Sequence, residues 1–103
     1  MISSKDALEI LRQFMQESGD RYGILKLGVF GSVARDEAKD DSDVDVVISL
    51  KTPDPYFIVH IKEALEQRLG CHVDIVRLRD KMNSFLKQRI EREAFYVRHK
   101  SGN

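Results

Sequence analysis

The chain has a single cysteine, Cys71, in 103 residues, so no internal disulfide can form. No second cysteine and no pair of histidines stands at ligand spacing, which removes a structural zinc site. Cys71 therefore reads as a small, mostly buried apolar side chain. Formal net charge is zero, so there is no basic excess to neutralise phosphates and strong non-specific nucleic-acid binding is not expected. No apolar run approaches the length of a membrane span. The start, Met1-Ile-Ser-Ser-Lys-Asp6, lacks a signal peptide's apolar stretch, and a cytoplasmic protein is expected. Repeats and linkers are absent too, so residues 1–103 read as one domain.

What is present is an ordinary globular mix, 42% apolar and 33% charged. That excludes a disordered chain. The charge is unevenly spread. Residues 1–75 hold nine Lys/Arg against fourteen Asp/Glu, whereas residues 76–103 hold eight against three. The stretch Asp36–Asp45 alone carries six acids and one lysine. Such runs are usually solvated faces. The functional reading is an acidic metal cradle and a basic flank that meets phosphate or an acidic partner, with the partner surface placed around Lys87, Arg89 and Arg92.

Periodicity alternates between helix and strand. Ala7, Ile10, Leu11 and Phe14 predict a helix over 4–18, with Ser3 or Ser4 as cap and Gly19 as stop. A strand over Ile24–Phe30 and a short helix over Ser32–Glu37 follow, then a strand over Asp43–Leu50. Asp54 and Pro55 start a helix that ends at Gly70. His72–Leu78 reads as a third strand, 82–94 as a helix, and Phe95-Tyr96-Val97 as a short extended tail packing back. The order implies an α/β (α+β) fold with about three strands packed against helices. The link from Phe30 to Asp43 is too brief for a parallel crossover, so the sheet should be mixed.

The chemistry concentrates between Phe30 and Val46. A Gly31-Ser32 turn closes the first strand, and Asp43-Val44-Asp45 opens the second. Residues alternate sides along a strand, so Asp43 and Asp45 share a face, with Cα atoms roughly 6–7 Å apart. Two carboxylates so placed suit a pair of divalent ions about 3.5–4 Å apart. Magnesium, which takes few carboxylates and keeps positions for phosphate oxygens, fits that platform. Asp74 is a third acid inside an apolar run, costly to bury unless paired or metal-bound. The turn lets the backbone approach an anion closely, as a nucleotide phosphate requires. His72, two residues before Asp74, is expected on the same strand face, where it reads mainly as structural or exposed. His60 and His99 carry no signal, and the spacing of Tyr22, Tyr56 and Tyr96 selects none of them as a base-stacking residue.

The string Phe30-Gly-Ser-Val-Ala-Arg35 with Ser42-Asp-Val-Asp45 and the later Asp74 resembles the DNA polymerase β-like nucleotidyltransferase superfamily. Within it the chain is most similar to the minimal nucleotidyltransferases of the MntA antitoxin type, over about residues 5–97. The resemblance implies that Gly31 and Ser32 contact a triphosphate and that Arg35 neutralises phosphate. It also implies that Asp43, Asp45 and Asp74 form the carboxylate triad holding two Mg²⁺ ions. It implies transfer of a nucleoside monophosphate, AMP from ATP, to a hydroxyl. The larger members' acceptor domain is not expected in so short a chain, which points to a protein acceptor or a partner subunit, and the resemblance implies a tyrosine of a HEPN-family toxin. The alternatives are a binding module that neutralises its toxin by contact and a small-molecule (antibiotic) nucleotidyltransferase. The chain departs from the family pattern at Asp36, where glycine is usual after that arginine. Asp tolerates the left-handed backbone better than most residues. A carboxylate there would, however, be unfavourable beside a triphosphate.

Overall fold

The computed structural model describes residues 2–98, which leaves His99 outside the described residues. Helix α1, Ser4–Tyr22, starts where the Ser3 hydroxyl accepts the Asp6 N–H at 3.1 Å. Its stop is Gly23, at φ 64°, not Gly19 as the sequence suggested. Gly19 lies buried inside the helix, and the left-handed residue that ends it comes four positions later. Strand β1, Ile24–Phe30, leads straight into α2, Gly31–Ala34. That helix is shorter than the expected 32–37 span, because Asp36 takes a left-handed φ of 57° and turns the chain.

Strand β2 spans Val44–Leu50, and α3 spans Pro55–Leu69. Asp54 caps α3 by accepting the Tyr56 N–H at 2.9 Å, Pro55 opens it, and Gly70 closes it. Strand β3 is Val73–Arg77. Helix α4, Ser84–Glu93, is capped by Asn83, whose side chain accepts the Leu86 N–H at 3.0 Å. Strand β4, Phe95–Tyr96, ends the described fold.

The sheet therefore has four strands, not three, in the order β3-β2-β1-β4. It is mixed, as the short Phe30–Asp43 link required: β1 runs antiparallel to β2 and β4, and β2 runs parallel to β3. The extra strand is the tail 95–97. Two residues are too few to show alternation, and the pairing rests on a distant glycine. A Cβ on Gly28 would lie 2.5 Å from the Phe95 carbonyl oxygen, so only glycine admits β4 at this edge.

The sheet has two unequal faces. Val44, Val46 and Ile48 of β2 join Leu27 and Val29 of β1 beneath Leu11, Phe14 and Met15 of α1 and Ile61 and Leu65 of α3. On the other face Phe30 and Val47 pack with Ile90 of α4, with Val76, Leu78 and Leu86 around them. Alternation along β2 and β3 puts Asp45 beside Val47, and Asp74 beside Val76, on this α4 side. The larger core supplies the rigid platform, and the smaller one fixes α4 beside the carboxylates.

Candidate functional site

Gly31 is the hinge of the site. It stands at φ 75°, in the region that favours glycine, at the exact junction of β1 and α2. A Cβ here would lie 2.2 Å from Asp45 Oδ2 and 3.3 Å from a terminal nitrogen of Arg89. The missing side chain is thus what lets the turn lie against Asp45, since Phe30 is the register partner of Asp45. Ser32 is half-buried in the same turn, and its carbonyl accepts the Glu37 N–H at 2.8 Å.

Two of the three aspartates, Asp45 and Asp74, come from adjoining parallel strands. Asp45 and Asp74 are register partners, with Val44 opposite Val73 below them. Adjoining strands lie about 4.8 Å apart. Asp43 just precedes β2 and is exposed, as is Asp74, while Asp45 is half-buried. Burial pushes the Asp45 carboxyl above its ordinary value, and the charge of Asp74 adds to this. Arg89 opposes the shift, Asp43 adds to it, and Arg35 opposes it. Asp45 thus sits at the electrostatic centre of three acids and two arginines. Among the described residues no three His, Cys, Asp or Glu side chains close into a metal-ligating cluster. The donor set nevertheless fits a divalent cation. It is all oxygen, and its central carboxylate is raised first by burial and then by the charge of Asp74, which a cation would offset.

Arg35 lies at the end of α2 and is held by two acids: its Nε donates to Glu37 at 2.8 Å and its Nη1 to Glu93 at 2.9 Å. Asp36 is turned away from the carboxylates. Its side chain accepts the Ser4 N–H at 2.8 Å and the Ser4 hydroxyl at 3.0 Å, tying the site loop to the start of α1. The departure from glycine is therefore accommodated by the backbone and used by the carboxylate.

The sequence missed two residues. Arg89, which read as part of a basic partner surface with Lys87 and Arg92, lies over the Phe30 ring at 5.7 Å and faces Asp45. Glu93 accepts the Gly31 N–H at 3.2 Å together with the bonds from Arg35 and, at 3.4 Å, from Arg89 Nε. Their i,i+4 spacing on α4 was the only available signal, and it is also that of an ordinary surface ion pair.

The remaining candidates are peripheral. His72 is exposed, with Nδ1 3.6 Å from Glu66, which also accepts the Val73 N–H at 3.0 Å. Cys71 is half-buried against the larger core, and burial with the charges of Asp43 and Glu66 pushes its thiol up, so it stays protonated at neutral pH. Tyr22 is spent on ring contacts with Phe14 and Phe57, and Tyr56 packs on His60. Beside Asp43 an open cleft of about 450 Å³ runs between Asp40, Asp41, Glu66, Cys71 and His72.

A glycine turn laid against Asp45, with Asp74 paired to it on the next strand and Asp43 just ahead of β2, on a small mixed sheet, fits a nucleotidyltransferase. The chain belongs to that family: residues 8–97 match the family model of the nucleotidyltransferase domain. It is 35% identical over 98 residues to the protein adenylyltransferase MntA of Thermococcus cleftensis, covering 94% of this chain and 98% of that protein. Its fold matches a solved structure described as a candidate minimal nucleotidyltransferase, at a TM-score of 0.72 and 34% identity, over 91% of this chain and 95% of the other. It also matches a solved complex of a tri-AMPylated Shewanella oneidensis HEPN toxin with an MNT antitoxin, at a TM-score of 0.57 and 19% identity. That match covers 90% of this chain and 66% of the other, and at this identity it speaks for the fold alone.

Proposed function

We propose that the chain is a single-domain protein adenylyltransferase of an antitoxin system, which transfers AMP from ATP to a tyrosine hydroxyl of a HEPN-family toxin. The observation that carries this is the register pairing of Asp45 with Asp74, with Gly31 in contact with Asp45. Identity to the Thermococcus adenylyltransferase across nearly both chains supports the reaction class. The HEPN complex, a likeness of fold, suggests the kind of partner to test.

In this reading Asp43, Asp45 and Asp74 are the residues that would hold two Mg²⁺ ions. Bound there, they neutralise charge on the transferring and leaving phosphates and lower the pKa of the acceptor hydroxyl. The chain's own residues do the rest. Gly31 admits the phosphate chain close to the backbone, Ser32 donates from the turn, and Arg35 faces phosphate oxygens. The acceptor oxygen forms a bond to the α-phosphorus, and the bond from that phosphorus to the β-phosphate bridging oxygen breaks. Pyrophosphate leaves, and the acceptor's proton passes to Asp74 acting as general base. No acceptor pocket is needed on this chain when the partner brings its tyrosine to the cleft beside Asp43.

The test mixes the protein with the HEPN partner and labelled ATP, and reads both label transfer and co-elution. Asp74→Asn keeps shape but removes the charge, and transfer should fall by about 10²–10⁴-fold, the range for losing general-base action. Co-elution should persist. Transfer undiminished by Asp74→Asn would refute the assignment of that residue. Co-elution without transfer by the unaltered protein would mean neutralisation by contact.

A further inference from the structure

Three donors around the Gly-Ser turn are already taken by an acid from the far end of the chain. The Gly31 N–H, Arg35 Nη1 and Arg89 Nε all point at the Glu93 Oε1 atom, at 3.2, 2.9 and 3.4 Å. One carboxylate oxygen with two guanidinium donors and one backbone donor is the coordination expected of a phosphate oxygen. The Glu93 side chain is 19% exposed, so this is a partly desolvated seat and not a surface pair.

We propose that Glu93 is an internal phosphate surrogate: its carboxylate occupies the seat that a nucleotide phosphate oxygen takes, and the nucleotide binds by displacing it. The inference rests on the nucleotide-binding reading above. Glu93 then sets the affinity for the triphosphate and has no part in the reaction itself.

Two features favour displacement over a role in which Glu93 simply holds the arginines in place. Each arginine has a second support. Arg35 also bonds Glu37 at 2.8 Å, and Arg89 lies over the Phe30 ring, itself buried in the smaller core. Both guanidinium groups therefore stay at the turn when Glu93 leaves. Glu93 is also the last residue of α4. A side-chain rotation at a helix end frees the seat, while Ile90, one turn earlier, keeps the helix on the sheet. The displaced carboxylate moves toward water, and like-charge repulsion keeps it away from bound phosphate.

The experiment compares the full-length protein with Glu93→Gln and Glu93→Ala by calorimetric titration in Mg²⁺, using tripolyphosphate, ATP and adenosine. Glutamine keeps an acceptor oxygen for the three donors but removes the charge, so the fold is preserved. Alanine removes both. Displacement requires tripolyphosphate and ATP to bind about tenfold tighter to each variant, the scale of one charge-assisted hydrogen bond released to the ligand. Adenosine, which has no phosphate, should be unaffected. If Glu93 only anchored the arginines, Glu93→Ala would bind ATP more weakly and Glu93→Gln equally, and either result overturns the proposal. Binding and transfer by the unaltered protein with no gain in the variants overturns the proposal alone. Absence of ATP binding in all three proteins overturns the nucleotide reading with it. A melting curve for each variant confirms that the compared proteins are folded.

Discussion

Replacing Asp45 by Asn should stabilise the protein without metal and abolish its response to metal. Asp45 is half-buried, opposite Asp74 on the neighbouring strand, with Asp43 also raising its carboxyl and Arg89 and Arg35 opposing. Two unit charges about 5 Å apart repel by about 0.8 kcal/mol in water and about 3 kcal/mol at an effective dielectric of 20. Solvent reaches both carboxylates, so screening holds the value near the lower end, about 1 kcal/mol. In a domain of this size that is a gain of about 4–8 °C in Tm.

The pH dependence carries the same sign. A carboxyl whose folded pKa lies above its unfolded value binds its proton more tightly when folded. Asp45 therefore costs stability in full above its folded pKa. That cost shrinks as pH falls through the folded value and is gone below the unfolded one. The variant should lack this component. Thermal melts in EDTA and in Mg²⁺ with ATP, across about pH 3 to 7, which brackets the unfolded carboxyl, would check both points. Unaltered protein should gain Tm with Mg²⁺ and ATP, and Asp45→Asn should not. A variant less stable than the parent in EDTA would refute the reasoning, because Asp45 would then be held by Arg89 more than it is repelled by Asp74.

Two further outcomes follow from the backbone around the site. Gly31→Ala places a Cβ 2.2 Å from Asp45 Oδ2 at a φ of 75°, so it should lose ATP binding and cost about 1–3 kcal/mol of stability, read by calorimetry and urea unfolding; ATP affinity equal to the parent's would mean that the turn is only a helix start. Asp36→Ala should be more destabilising than Asp36→Gly by about 1 kcal/mol in urea unfolding, because both lose the Ser4 bonds but only alanine resists the φ of 57°; equal losses would show that the carboxylate, not the backbone, is what matters there.

The parts of this fold that were legible in the sequence are the local ones. Ser3, Asp54, Pro55 and Gly70 each fix a helix end within one turn, and all four act as their types suggest. The alternation of Val44, Val46 and Ile48 against Asp45 declared which face of β2 carries the larger core. The failures have the same logic. Gly19 satisfies the composition of a stop signal, but the strained backbone angle falls at Gly23, and composition does not report φ. Strand β4 is two residues long and is admitted by Gly28, far away in the chain.

Arg89 and Glu93 extend that argument to the site. On α4 alone they form an i,i+4 pair of the kind solvated helices carry, and the basic count around them pointed outward. The bonds that Glu93 accepts from Gly31 and Arg35 span 62 and 58 residues, and only the packing of Ile90 on Phe30 and Val47 aims that helix face at the turn. A triad of acids can announce itself through strand periodicity, because the strands themselves hold it. A counter-charge delivered from a packed helix cannot, because its position is a property of the smaller core. The sequence therefore exposes the acids of the candidate site, while their balance against the arginines, on which the proposed exchange of Glu93 for phosphate depends, is set by tertiary packing.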